Sequence, residues 1–230
     1  MISLKKQAES NFISLKKKAL DTISIFGLTN VHAKVCLVLD YSGSMRPLYR
    51  EGIIQNTAER LLALASKFDD DGCIEVFIFH HEAYQIGSLC ENNFFDYINS
   101  QIFSNKNYKF GRTEYSCAMD KVLNYYFPTK SKEPVFVIFI TDGNNSDKNK
   151  TTKLIKESSN LPIFWQFIGI GDEKFDYLHK LDDLKGRTID NANFFEIKNL
   201  EKISDDELYK KLLNEFPSWI SEAKKIGVIR

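Results

Sequence analysis

The sequence predicts an α/β protein with a Rossmann-like, doubly wound sheet that is mostly parallel and carries helices on both faces. Four apolar runs have the length of a strand and are rich in β-branched and aromatic residues, at 34–40, 74–80, 135–141 and 162–170. None of them alternates strictly between apolar and polar residues, which indicates strands that are covered on both faces, as in a parallel sheet. Helical patterns separate the runs, as right-handed βαβ connections require.

The remaining elements follow from periodicity and from turn residues. Between the first two strands, apolar residues recur at a helical period, at positions 53, 54, 58, 61, 62 and 65. Similar patterns predict further helices over 115–126, 148–158, 174–184 and 204–226, the last of them broken at Pro217. After a turn at His80 and His81, residues 81–87 are predicted to form a short antiparallel edge strand.

The first 30 residues differ from the rest of the chain. The motif ISLKK occurs at 2–6 and again at 13–17, an offset close to three helical turns. We therefore predict a lysine-rich amphipathic helical extension over residues 1–30, and a domain over 31–230 that includes the C-terminal helices. Packing of the extension on the domain is the preferred interpretation, with a docking arm or an anionic-surface contact as alternatives. Its predicted apolar stripe consists of Leu4, Ala8, Leu15, Ala19 and Ile23.

Composition narrows the class of protein. The 31 basic and 31 acidic residues cancel, so we expect no general attraction to nucleic acid or to an anionic membrane. No apolar run approaches the roughly 18 residues of a membrane span, and the N-terminus lacks the pattern of a signal peptide. These features predict a cytoplasmic protein. The four cysteines have no CxxC spacing and are expected to be reduced structural thiols: Cys36, Cys73, Cys90 and Cys117.

Polar side chains follow the predicted strands at the edge where open α/β sheets bind ligands. Asp40, Ser42 and Ser44 come directly after the first strand, and Asp142 comes after the strand at 135–141. Thr113 lies in a Gly-Arg-Thr turn that opens onto a helix. Taken singly, Ser44, Thr113 and Asp142 are also ordinary helix caps, and a D-x-S-x-S motif is common by chance. Their position on three loops of one sheet edge favours a joint role in binding a metal ion.

The chemistry of this set suits a small hard cation, because Mg²⁺ prefers oxygen ligands in octahedral geometry. Ser42 and Ser44 can offer two hydroxyl oxygens from one tight loop, and Thr113 can offer a third. Asp40 and Asp142 supply negative charge, either directly or by accepting hydrogen bonds from the ligating hydroxyls and waters. Neutral hydroxyl ligands leave the ion electrophilic, which favours a carboxylate from outside the chain. Such a site is better suited to binding an acidic group of a partner than to cleaving a bond.

With these residues the chain resembles a von Willebrand factor A (vWA) domain over roughly residues 32 to 200. Asp40-x-Ser42-x-Ser44, Thr113 in GRTEY and Asp142 in ITDG match the metal-ion-dependent adhesion site (MIDAS) of that family without substitution. The resemblance implies that the serines and the threonine bind Mg²⁺, or another divalent ion such as Mn²⁺ or Ca²⁺. It also implies that the aspartates bind directly or through water, and that an Asp or Glu of a protein partner completes the coordination.

A narrower resemblance is to the bacterial vWA proteins associated with tellurite resistance and general stress, the TerF-like group. The segments GLTNVHAKVCLVLDYSGSM and LYKKLLNEFPSWISEAKKIGVI, together with RTEYSCAMD, are similar to that group. This resemblance implies an intracellular protein that takes part in the assembly of stress-response complexes. Arg112 stands where the vWA family usually has a second glycine before the threonine. A basic side chain there could attract an acidic ligand or obstruct it.

Three functions are compatible with these observations. A metal-dependent protein-binding module, without enzymatic activity, is the leading hypothesis. A metal-dependent hydrolase or phosphoryl-transfer enzyme using Asp40 and Asp142 is the alternative, although the chain has neither a G-x-S-x-G elbow nor a G-x-x-x-x-G-K-[ST] loop. The third is a scaffold whose contacts are made by the N-terminal helix.

Two further groups of residues near the predicted site allow a functional and a structural interpretation. His80, His81 and Glu82 are interpreted as a polar turn, because adjacent strand-end residues point to opposite faces. Four aromatic residues are expected either to form an exposed binding face or to belong to the core: Tyr41, Tyr49, Phe110 and Tyr115.

Overall fold

The computed structural model describes residues 3–69, 71–128, 131–143 and 145–230. Within these ranges six strands form one sheet in the order β3-β2-β1-β4-β5-β6. All neighbouring strands are parallel except β3, which is antiparallel to β2. The predicted fold class is therefore confirmed. The strands are β1 (Lys34–Asp40), β2 (Cys73–Phe79), β3 (Ala83–Cys90), β4 (Val135–Thr141), β5 (Ile163–Ile170) and β6 (Ala192–Ile197).

Helices cover both faces of the sheet. They are α1 (Leu4–Ile25), α2 (Arg46–Arg50), α3 (Ile53–Ala65), α4 (Tyr115–Tyr126), α5 (Lys148–Ser158), α6 (Asp176–Asp182), α7 (Asp205–Leu213) and α8 (Phe216–Lys225). One apolar layer packs the sheet against α1, α3, α7 and α8, and the other packs it against α4, α5 and α6. Successive residues of β1 alternate between the layers, with Leu37 in the first and Val38 in the second. Burial on both faces explains the unbroken apolar run in the sequence.

The topology places a crevice at the carboxyl end of β1. This strand lies between β2 and β4. The chain first builds the sheet outward from β1 through β2 and β3, and later returns to add β4, β5 and β6 on the other side. Strand order therefore reverses between β1 and β4, and open α/β sheets bind ligands at this position.

Two strands and one helix boundary differ from the sequence prediction. The strand β6 was not predicted, because Asn193 and Glu196 interrupt its short apolar pattern. The antiparallel edge strand covers Ala83–Cys90 rather than 81–87, since pairing with β2 extends it through a register shift. The predicted C-terminal helix is two helices, and Pro217 lies in the first turn of α8 rather than at the break. Proline is tolerated there because first-turn N–H groups have no intrahelical acceptor.

The N-terminal segment forms α1. This helix packs on the domain, which was the preferred interpretation of the sequence. Its buried residues are Phe12, Ala19, Thr22 and Ile23, whereas Leu4 of the predicted stripe is 76% exposed. An ionic cluster links the helix to α7 and α3. Asp205, at the start of α7, accepts a hydrogen bond from Lys18 of α1 at 2.7 Å and lies 2.7 Å from the buried Arg60 of α3. No helix within the described ranges is long and apolar enough to cross a bilayer.

The prediction of four reduced thiols is wrong for two of the cysteines. Cys73 and Cys90 form a disulfide between β2 and β3, while Cys36 and Cys117 are free. The antiparallel register pairs Cys73 directly with Cys90, with a Cα–Cα distance of 4.3 Å. The two cysteines are 17 positions apart in sequence, and the hairpin register brings them together.

Thiol counting tests this disulfide. We expect alkylation of the denatured, unreduced protein to modify two cysteines, and alkylation after reduction to modify four, as measured by intact mass. The Cys117→Ser variant should give one and three, because Cys117 is free. Four modified cysteines without reduction would contradict the assignment.

Candidate metal centre

The site is built on a buried carboxylate. Asp40 ends β1 and has 0% of its surface exposed. Its Oδ2 accepts a hydrogen bond from the Thr141 hydroxyl at 2.6 Å, and its Oδ1 accepts one from the Ser42 amide at 2.8 Å. The first bond joins the ends of β1 and β4, and the second turns the loop that follows β1. Sequence reasoning missed Thr141, whose signal was a hydroxyl at the last position of an otherwise apolar strand.

Beyond Asp40, the loop presents two hydroxyl groups to a second carboxylate. The Oγ atoms of Ser42 and Ser44 lie 3.1 Å apart, and the Ser44 hydroxyl donates to Asp142 Oδ1 at 2.9 Å. Ser42 is buried, whereas Ser44 is exposed at the rim. The helix-cap interpretation of Ser44 is wrong, because α2 begins after Met45 and its start has no side-chain cap. Four of the five predicted residues thus form one connected group.

The loop that carries Thr113 lies against the serine loop. Ser42 forms a β-bridge with Gly111, and the Gly43 amide donates to the Gly111 carbonyl at 3.3 Å. The Thr113 carbonyl accepts a hydrogen bond from the Ser146 amide at 3.0 Å, which ties this loop to the one after β4. Thr113 therefore sits between the segments that carry the serines and Asp142.

Close packing requires glycine at position 111. A Cβ atom there would lie 2.8–2.9 Å from the side chains of His80 and His81. The two histidine rings are 4.3 Å apart, so the expectation that they point to opposite faces is wrong. The turn begins at His80, and the alternation of the strand no longer applies beyond it. The Nδ1 atom of His80 accepts a hydrogen bond from the Glu82 amide. His80 therefore has a structural role in this turn.

Neither Thr113 nor Asp142 caps a helix, because another residue does so for α4 and α5. Asp147, which sequence reasoning missed, binds the first amides of α4, Tyr115 at 3.0 Å and Ser116 at 2.7 Å. It is at the same time the residue that precedes α5. One carboxylate from the β4–α5 loop thus caps the helix that follows Thr113 and leaves Asp142 available at the rim.

The four aromatic residues near the site support it from below. Tyr41, Tyr49 and Tyr115 are buried, and Phe110 is partly buried against the same core, so the exposed-face interpretation is wrong. Tyr41 stacks on Phe110 with a ring-centroid distance of 4.0 Å. The Tyr49 hydroxyl donates to the Asp40 carbonyl at 3.0 Å. These rings exclude water beneath the loop and fix its path.

Two neighbouring negative charges dominate the electrostatics. Burial raises the pKa of the Asp40 carboxyl to about 6, hydrogen bonds from Thr141 and Ser42 oppose the rise, and the charge of Asp142 adds to it. Burial also raises the pKa of Asp142, and the Ser44 hydroxyl opposes that rise. No ion pair among the described residues involves either aspartate. The site therefore has uncompensated negative charge that a cation would balance.

The donor set fits a hard divalent ion. No group of three or more His, Cys, Asp or Glu side chains that could hold a metal occurs in the described ranges. An ion at this rim would depend on two carboxylates and on neutral hydroxyls, an all-oxygen set. Oxygen ligands are typical of Mg²⁺ and Ca²⁺, whereas structural zinc sites use thiolate and imidazole.

Comparison with known proteins gives one family and one relative of similar length. The family model for the vWA found in the TerF C terminus matches residues 32–229. A protein of Bacillus subtilis (strain 168), Uncharacterized protein YcbR, is 44% identical over 232 residues, which cover 100% of this chain and 91% of the relative.

Solved structures share the fold at low sequence identity. Proximal thread matrix protein 1 from the mussel byssus, solved with a zinc-occupied MIDAS motif, is 20% identical with a TM-score of 0.55, over 80% of this chain. The chain spans less than half of that protein, 46%. BatB from Bacteroides thetaiotaomicron is 17% identical with a TM-score of 0.51, over 84% of this chain and 99% of its own length.

The buried charge predicts the effect of Asp40→Asn on the metal-free protein. A rise in pKa from 3.8 to about 6 corresponds to a penalty of about 3 kcal/mol when Asp40 is ionised at neutral pH. Relative to Asp40→Asn, the wild type is then most stable below pH 3.8, and it loses this stability as the pH rises through about 6. With chelator present, we expect the free energy of unfolding of the wild type, relative to that of Asp40→Asn, to fall by about 1 kcal/mol between pH 5 and pH 7. The acceptor oxygen that the amide lacks affects both pH values alike and cancels in this difference.

Urea denaturation at the two pH values measures this difference. The matched control is Asp172→Asn, because the Asp172 side chain is 83% exposed and its neutralisation should change stability by less than about 0.5 kcal/mol. A difference in stability between the wild type and Asp40→Asn that does not change between pH 5 and pH 7 would contradict the electrostatic account.

Proposed function

Because the chain belongs to the vWA family, in the form found in the TerF C terminus, we propose that it is a divalent-metal-dependent protein-binding module. The observation that carries the proposal is the connected group formed by Asp40, Ser42, Ser44 and Asp142, which has two carboxylates and no basic partner among the described residues. A divalent cation would neutralise these charges and use the hydroxyl oxygens that face the rim.

Each of the five residues would have its own role in binding the ion. The hydroxyls of Ser42, Ser44 and Thr113 would be direct ligands of Mg²⁺, with Mn²⁺ or Ca²⁺ as substitutes. Asp142 would bind the ion directly or through water. The oxygens of Asp40 already accept hydrogen bonds from the Ser42 amide and the Thr141 hydroxyl. Asp40 would therefore contact the ion indirectly, by accepting hydrogen bonds from waters bound to it. An Asp or Glu of a protein partner would fill the open position.

Binding explains this geometry better than hydrolysis. The hydroxyls of Ser42 and Ser44 bond to each other and to a carboxylate, and within the described residues neither bonds to an imidazole that could act as a general base. The nearby His80 is buried and uses Nδ1 for the Glu82 amide. We therefore propose that the protein is not an enzyme. Hydrolysis of a generic phosphoester that is lost in Asp40→Asn would favour the enzymatic alternative instead.

The physiological context is proposed from family membership. We propose a role in a tellurite- or stress-response complex in the cytoplasm, as the TerF-like group implies. The Cys73–Cys90 disulfide is the observation that opposes this compartment, because thiols in reducing cytosol rarely remain oxidised. The thiol count of protein isolated from its native cells, alkylated at lysis, distinguishes a reducing from an oxidising environment.

Removal of the hydroxyl ligands tests the proposal. We expect the pair Ser42→Ala and Ser44→Ala to weaken Mn²⁺ binding by at least about 100-fold, because two direct ligands are lost, while circular dichroism stays unchanged. Isothermal titration calorimetry measures the binding. The matched control is Ser146→Ala, whose hydroxyl donates to the Thr113 carbonyl and to no other group in the described part of the chain. Unchanged Mn²⁺ binding in the double variant would overturn the proposed site.

A second experiment tests the partner. Pull-down from native cytosol in Mg²⁺ should capture a protein that is released by chelator and is not captured by the Ser42/Ser44 double variant. Capture that survives both treatments, but is lost when residues 1–28 are deleted, would favour the scaffold hypothesis.

A further inference from the structure

Two arginines beside the candidate metal centre form no ion pair, whereas three others in the chain do. Arg50, Arg60 and Arg187 each lie within 3.3 Å of a carboxylate oxygen. Arg46 and Arg112 are exposed, and neither forms an ion pair with any carboxylate in the described ranges. These two residues flank the loops that carry the hydroxyl ligands.

Arg46 is held at the rim by aromatic packing. Its Cζ lies 5.0 Å from the centre of the Phe110 ring, and that ring stacks on Tyr41, the residue after Asp40. The guanidinium thus rests on the stack that supports the serine loop, two residues after Ser44. Cation–π contact restricts the side chain and leaves its N–H groups free to donate.

Arg112 is fixed through its backbone. It follows Gly111, which is bridged to Ser42, and it precedes Thr113, whose carbonyl accepts the Ser146 amide. Both neighbours are therefore tied to the loops of the site. The Arg112 side chain is exposed beside them. One guanidinium consequently belongs to the serine loop, and the other belongs to the threonine loop.

The charges around a bound ion indicate which partner segments the two guanidiniums would favour. A divalent cation would balance Asp40 and Asp142, and the two guanidiniums would then make the rim positive. Glu173 adds one negative charge near Asp142. Guanidinium groups bind carboxylates through two parallel hydrogen bonds, and such pairs are stronger than neutral hydrogen bonds. A segment with a single acidic residue would use the metal and leave both arginines without a partner.

We propose that Arg46 and Arg112 select a protein segment with several adjacent carboxylates, one of which binds the metal while the others pair with the guanidiniums. This inference rests on the proposed function and specifies its partner as an acidic tract. The arginines determine specificity and are not metal ligands.

Two synthetic peptides serve as probes. Both are fluorescein-labelled nonapeptides of Gly and Ser, one with a single central Glu and the other with three consecutive Glu residues. With the full chain in saturating Mn²⁺, we expect fluorescence anisotropy to show about tenfold tighter binding of the three-Glu peptide, equivalent to about 1.4 kcal/mol. This preference should fall at high salt, because rim ion pairs are screened.

The double variant Arg46→Gln and Arg112→Gln should lose this preference and bind the single-Glu peptide within about twofold of the wild type. Arg50→Gln is the matched control, because Arg50 is exposed at the other end of α2, the helix that begins with Arg46, but is paired with Glu51. It should keep the full preference. Calorimetry should give a Mn²⁺ affinity in the double variant that is no weaker than in the wild type, because two positive charges near the ion are removed, and an unchanged affinity in Arg50→Gln.

The outcomes separate the two proposals. If Mn²⁺ binds and the wild type does not favour the three-Glu peptide, or the double variant keeps the preference, the selectivity inference is wrong and the metal site stands. Loss of Mn²⁺ affinity in the double variant would show that the arginines maintain the metal loops rather than select a ligand. If the wild type binds no Mn²⁺, the proposed function fails, and the inference fails with it.

Discussion

The hydrogen bonds made by the Asp40 carboxylate are the constraint on which the rest of the site depends. One oxygen accepts the Thr141 hydroxyl from the neighbouring strand, and the other accepts the Ser42 amide two residues further along the chain. The first bond holds the carboxyl ends of β1 and β4 together at the point where strand order reverses. The second bends the backbone, so that the hydroxyls of Ser42 and Ser44 lie side by side and reach Asp142.

This constraint links stability to function. A buried carboxylate without a basic partner destabilises the ionised state, and the aromatic residues beneath the loop increase that effect by excluding water. A protein selected only for stability would gain from a neutral side chain at position 40. A cation at the proposed site would offset this charge, and hydroxyl ligands would leave it able to attract a further carboxylate. Under the proposed function, the charge that destabilises the metal-free fold would supply affinity for the metal.

The fold and much of the site could be predicted from the sequence because both depend on local patterns. Apolar runs identified β1, β2, β4 and β5, since burial on both faces leaves a strong signal. Asp40 and the serines were recognisable because strand ends converge in this fold class. Features that depend on pairing between distant segments were not predictable. The disulfide needs the β2–β3 register, and Thr141 and Asp147 act through contacts with loops far away in sequence.

Anomalous diffraction from crystals soaked in Mn²⁺ tests the central claim most directly, because it locates the ion without assuming its ligands. We predict one strong peak within about 2.5 Å of the hydroxyl oxygens of Ser42 and Ser44, on the side that faces Thr113 and Asp142. The Asp40 oxygens should keep their bonds to Thr141 and to the Ser42 amide in that structure. A saturating soak that leaves this position empty, or that places Mn²⁺ elsewhere on the chain, would contradict the account.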